Sequence, residues 1–254
     1  MQMTQLVRKL GPNDVRLIRR DSFLIFMLAY VVVIGVALRF GLPWLSNYLT
    51  DNNILTSETF ITSLNELYPM FVTYMGIFTV GGVMVGTVFG FLLLDERDDN
   101  TIKAMLVTPV PMSQYALYRV GLPTVISAFI IILVALGINQ ALLPLWQLVL
   151  IALCGSLAAP IVALFYATFA ANKVEGFAYA KFVSMSGFLI VGGWFVPEPF
   201  QFLFGLFPPF WTSKAYWLAL EGNGLWIFAL VAGIIFQIGA IYWLVQRFIK
   251  VAYS

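Results

Sequence analysis

Six apolar runs, each close to the length that crosses a lipid bilayer, leave this 254-residue chain little choice but a bundle of membrane-spanning helices. A hydrocarbon core of about 30 Å takes roughly 20 apolar residues in a helix, because only a helix or a closed barrel satisfies its backbone groups without water. The runs extend approximately from Phe23 to Phe40, Tyr68 to Leu94, Val120 to Asn139, Leu145 to Ala170, Phe182 to Val196 and Leu225 to Gln246. Composition closes off the alternative: 61% of residues are hydrophobic, 10% are charged and the mean hydropathy is +0.92. The surface of a soluble domain of this size needs far more charge. The fold class is therefore all-α integral membrane, one domain over residues 1–254, with six transmembrane helices.

Orientation follows from the basic residues. Of the 14 Lys and Arg, all but Arg39 and Lys214 fall in segments on one side of the predicted spans, and positive charge stays cytoplasmic. Both termini are thus expected in the cytoplasm of a multi-pass protein of the plasma membrane, the inner membrane in a bacterium. A basic stretch precedes the first apolar run and no small-residue cleavage site follows, so the first span reads as retained. Residues 1–22 hold Leu6, Leu10, Val15 and Ile18 between basic residues, with a break expected at Pro12-Asn13. They suit an amphipathic helix lying at the membrane interface, or a basic tail that merely obeys the charge rule. On the outer side Phe60, Leu64 and Leu67 recur at helical spacing, which predicts a short amphipathic helix.

Between the fifth and sixth spans the apolar stretch 197–211 is broken by Pro197, Pro199, Pro208 and Pro209. Proline removes a donor and clashes with the preceding turn, so one continuous span is excluded. A re-entrant helical hairpin satisfies the backbone in protein; an interfacial loop does so in water. Trp194 and Trp211 flank it with several phenylalanines, as interfacial anchors or as an outer gate whose polar mouth is Glu198.

The chemistry available is narrow. Histidine is absent and Cys154 stands alone, so neither an internal disulfide nor a His/Cys metal site is expected. No G-x-S-x-G occurs, and no catalytic residue is assigned. The spans show almost no ionisable residue away from their ends, which argues against an ion-coupled secondary transporter. A membrane-embedded lipid-modifying enzyme would have to use Asp95, Glu96, Asp98 and Asp99 with a divalent ion, yet Arg97 and Lys103 share that loop. Basic residues are scattered, so no nucleic-acid partner is implied. Gly82, Gly86 and Gly90 recur every fourth residue, which lets another helix approach closely, for packing inside the bundle or for dimerisation.

The loop 95–112 carries the clearest pattern. Asp98, Asp99 or Asn100 can cap a short helix on which Ile102, Met105 and Leu106 form one apolar knuckle beside Lys103, and Pro109 stops it. Such a helix between two spans would pass on a push from a docked protein; the plainer reading is a solvated turn. The run Glu96, Thr101, Leu106, Thr108 and Pro109 resembles the E-x-x-x-x-T-x-x-x-x-L-x-T-P segment of ABC type-2 exporter permeases. Asn100 stands where many of them carry Gly. The resemblance extends over most of the chain, and it implies that this segment is a coupling helix seated in an ATP-binding subunit. It further implies a second permease chain, as homodimer or heterodimer, and a hydrophobic or amphipathic cargo such as a drug, antibiotic or lipid-like molecule. No G-x-x-x-x-G-K-[ST] phosphate loop is present, so this chain is not expected to hydrolyse ATP by that route; the resemblance implies no cofactor in this chain and ATP with Mg in the partner.

Overall fold

A computed structural model describes residues 3–55, 63–99, 112–138 and 143–253. Among them the secondary structure is helical, and six helices are long and apolar enough to cross a membrane. We name the elements in chain order. Helix α1 is Met3–Arg20; the six long helices are α2, Ser22–Asp51, α3, Leu64–Asp98, α4, Met112–Ile138, α5, Leu145–Phe169, α6, Lys173–Phe195, and α8, Trp226–Tyr253. Helix α7, Pro208–Leu220, lies between α6 and α8. The turns at Arg20–Ser22 and Phe169–Lys173 share one end of the bundle with Asp98, Met112 and Tyr253; we call this the basic end, and its opposite the far end.

Helix α3 is the axis. Its apolar window is 94% buried, against 17% for α2 and α6. It packs against α5 through the glycine stripe, since a Cβ on Gly86 would lie 2.6 Å from the carbonyl oxygen of Ala159 and one on Gly90 would lie 2.7 Å from Cδ2 of Tyr166. Glycine alone permits that approach. Between Val72 and Met84 the helix is π-wound over 13 residues, and from Val85 it continues as an α-helix.

Several expectations are corrected in detail. Helix α1 runs unbroken through Pro12, because proline removes one donor and Pro12 lies on the exposed side, where the freed carbonyl faces outward. Leu10 and Ile18 of α1 pack on the core, while Val15 is exposed. The fifth span begins at Lys173, not Phe182: Asn172 caps it by accepting from the Glu175 N–H at 3.0 Å. Its Lys173, Glu175 and Lys181 had diluted the apolar pattern. Helix α3 also runs through Asp98, and Asp99 follows its last turn; the short helix expected after them lies outside the described residues. Leu64 and Leu67 form the first, 3-10 turn of α3; Phe60 lies outside the described residues.

After α6 the chain forms a 3-10 segment, Phe200–Leu206, and then α7, with Pro208 and Pro209 in its first turn, where proline lacks nothing it needs. The start of α7 meets α8 well inside that helix: Trp211 stacks on Phe236 with 6.3 Å between ring centroids, and Gln237 Nε2 donates to Thr212 Oγ1 at 3.3 Å. Trp217 then meets α3, donating to Thr73 Oγ1 at 3.2 Å. The aromatic cluster of this region is divided: Phe210 is buried and Trp194 lies edge-on to Trp217 at 5.0 Å, while Phe195, Phe200 and Phe202 are exposed.

Candidate functional site

Four consecutive charged residues, Asp95 to Asp98, end α3, and in a helix consecutive side chains point about 100° apart. Asp95, Glu96 and Arg97 therefore face three directions, and each finds partners on different elements. Asp95 Oδ1 lies 2.9 Å from Lys173 Nζ at the start of α6, and the same ammonium donates to Asp21 Oδ2 at 2.9 Å. Asp21 in turn caps α2, accepting from Phe23 N–H at 2.9 Å and Leu24 N–H at 3.3 Å. Burial pushes the Asp21 carboxyl up, but the Lys173 hydrogen bond and charge and these two N–H groups outweigh it, leaving it below its ordinary value.

Arg97 reaches the end of α5, where the last carbonyls of a helix lack donors. It donates to Ala167 O at 3.3 Å, to Ala170 O at 2.6 Å and to Ala171 O. A cation there also meets the negative end of the helix dipole.

Glu96 faces a buried network. Arg119 of α4 is 0% exposed, and its Nη2 donates to Glu96 Oε1 while its Nη1 donates to Asp14 Oδ2 of α1 at 3.0 Å. Tyr115 OH donates to Glu96 Oε2 and accepts from Arg119 Nε at 3.2 Å; Tyr118 OH donates to Asp14 Oδ2 at 2.7 Å. Asp14 Oδ1 has no hydrogen-bond partner among the described residues. The end of α3 is thus joined to α1, α2, α4, α5 and α6. The residues flanking the segment 100–111 on both sides, Glu96 before it and Tyr115 and Arg119 after it, belong to one hydrogen-bonded cluster.

Of the coupling residues read from sequence, Glu96 is placed at this junction. Asn100, Thr101, Ile102, Lys103, Met105, Leu106, Thr108 and Pro109 lie outside the described residues. The stripe of Gly82, Gly86 and Gly90 faces Ala158, Ala159, Val162, Ala163 and Tyr166 of α5 in the same chain. At the far end Pro197, Glu198 and Pro199 are exposed, while Pro209 and Trp211 are buried in the α7 packing. Sequence reasoning missed Asp14, Tyr115, Tyr118, Lys173 and the buried role of Arg119. The available signal was the i, i+4 spacing of Tyr115 and Arg119, which puts both on one face. It also missed that Lys214 is only 8% exposed, paired at 2.5 Å with Glu198 Oε1 and with Gln201 Oε1.

The family described as fluoroquinolones export permease protein Rv2686c-like matches residues 14–245. Two relatives from Mycobacterium tuberculosis, the fluoroquinolones export permease proteins Rv2686c of strain H37Rv and MT2760 of strain CDC 1551, are each 29% identical over 249 residues. Each match covers 94% of this chain and 92% of the relative. No solved structure matches.

Proposed function

The chain belongs to the Rv2686c-like fluoroquinolone export permeases, a family of ABC type-2 exporter permeases, and on that footing we propose that it is the membrane subunit of an ATP-driven drug exporter. Its role is transport and not catalysis. In this reading both termini and the basic end face the cytoplasm of a bacterial inner membrane, in keeping with the distribution of Lys and Arg. A separate ATP-binding subunit, which holds ATP and Mg, docks on residues 100–109, and a second permease chain completes the pathway. The cargo is hydrophobic or amphipathic, as the names of the relatives lead one to expect. The segment from Pro197 to Leu220 serves as a re-entrant pair at the outer face, a reading supported by the seating of Trp211 and Thr212 beside Phe236 and Gln237.

The observation that carries the proposal is the junction at Asp95, Glu96 and Arg97. A push on the docking segment arrives first at its two anchors, and both anchors are locked into one buried cluster with α1. Closely packed helices do not deform continuously, so such a push is resolved as a shift between two packed arrangements. Only a nucleotide state with different affinity for the two arrangements drives transport.

The test pairs the chain with its ATP-binding subunit in proteoliposomes. Met105→Asp or Leu106→Asp is expected to leave the permease inserted while abolishing either assembly with the partner or drug-dependent ATP hydrolysis. Full export by a correctly inserted Leu106→Asp variant would overturn the reading, as would uphill transport by this chain alone on a proton or sodium gradient.

A further inference from the structure

At the far end a cavity of about 310 Å³ opens between α7 and α8. One wall is apolar and aromatic, formed by Phe202, Trp211 and Phe228; the other presents Lys214. A lysine ammonium has three N–H donors. Glu198 and Gln201 account for two, each at 2.5 Å, and the ammonium lies 6.0 Å from the Phe202 ring centroid. The two acceptors differ. Gln201 is buried and fixed, its amide nitrogen donating to Gly193 O at 2.6 Å, whereas the Glu198 side chain is 58% exposed. Glu198 is therefore an exchangeable counter-ion: it swings into water at little cost, and the lysine, held in an apolar wall, then requires another anion.

We infer that this cavity binds an amphipathic monoanion, an aromatic body against Phe202, Trp211 and Phe228 with its carboxylate on Lys214 in place of Glu198. Three other cavities lack this combination, one of them lined by Pro12, Val15 and arginines with no aromatic wall. The groove between α2 and α4 has Arg39, already donating to Gly137 O, and that between α4 and α8 is lined by uncharged side chains. The volume suits a body of two or three fused rings. Glu198 competes for the same ammonium from within the chain, so the site holds its anion weakly and releases it. That is the behaviour of a last station before the outer solution. This assignment rests on the export reading for its role, while the binding itself does not depend on it.

The full chain in phosphatidylcholine nanodiscs, without partner or nucleotide, is titrated calorimetrically with 1-naphthoate, its neutral isostere 1-naphthamide, and laurate, with empty nanodiscs as reference. A charge-assisted pair at Lys214 predicts naphthoate binding about tenfold tighter than naphthamide. Lys214→Gln is expected to remove that preference while leaving naphthamide unchanged, and Lys214→Arg to keep it. Glu198→Gln, an exposed change that leaves folding intact, is expected to tighten naphthoate about threefold or more by deleting the competitor. Equal binding of acid and amide, or weaker naphthoate binding in Glu198→Gln, would overturn the assignment. Laurate binding as tightly as naphthoate would make this a fatty-acid site and overturn the aromatic assignment. Drug export by chain and partner, measured separately, keeps the export reading standing if only the site fails.

Discussion

Charge is handled in opposite ways at the two ends of the bundle. At the basic end Asp14, Glu96 and Arg119 are buried and interlocked through two tyrosines, and Asp21, Asp95 and Lys173 form a second, half-buried set beside them. At the far end one buried lysine meets one carboxylate that stands mostly in solvent. The first arrangement has no exchangeable member, so it behaves as a mechanical joint; the second has one, so it behaves as a contact that forms and breaks. A single chain thus keeps interlocked charges at one end and an exposed counter-charge beside a cavity at the other.

The sharpest way to break this comparison is Arg119→Met. It strands two carboxylates without their cation, and truncating one member of a buried ionic cluster costs about 3 to 5 kcal/mol. Thermal unfolding of the detergent-purified chain checks this, and adding Glu96→Gln should restore part of the loss. Gly86→Ala comes next. The new Cβ would press on a backbone oxygen that cannot rotate away, so a loss of about 1 to 3 kcal/mol is expected in the same assay.

Lys214→Met sharpens the contrast from the other side. It frees Glu198 into water but leaves the buried Gln201 oxygen without its donor, so a loss of about 1 to 2 kcal/mol is expected, below that of Arg119→Met. A loss as large as that of Arg119→Met would erase the distinction between the two ends. The smallest effect is expected at Asp21. Its carboxyl lies below its ordinary value in the folded chain, so its contribution is present above the unfolded value and is lost as pH falls through the carboxylate range. Asp21→Asn should flatten the acid limb of the stability profile, by less than about 1 kcal/mol because the pair with Lys173 is partly exposed.

How much of this was legible depends on whether a signal was local. The spans were, because an apolar run of that length has few other uses; the exception is α6, where Lys173, Glu175 and Lys181 broke the run although Asn172 offered a cap. The glycine stripe announced a close approach but not its partner on α5. The joint was not legible. Arg119 read as one more positive-inside residue and Asp14 drew no reading of its own, because the pair that unites them spans 105 positions of sequence. Lys214 was assigned to an outer segment for the same reason: its burial depends on α7 folding back along α8. The segment proposed to dock, Asn100 to Pro109, lies outside the described residues and was legible only as a pattern.

The π-wound stretch of α3 has a consequence for which length changes the protein can absorb. A helix closed by i→i+5 bonds holds more residues per turn than an α-helix does. Between Val72 and Met84 the chain thus carries surplus residues. Removing one there tightens a turn toward the commoner winding and leaves the following helix in phase. The same deletion between Val85 and Leu94 has no slack to draw on, and it swings Asp95, Glu96 and Arg97 by about 100° away from Lys173, Arg119 and the α5 carbonyls. Indel scanning along this one helix should therefore find a permissive upper half and an intolerant lower half, divided near Met84.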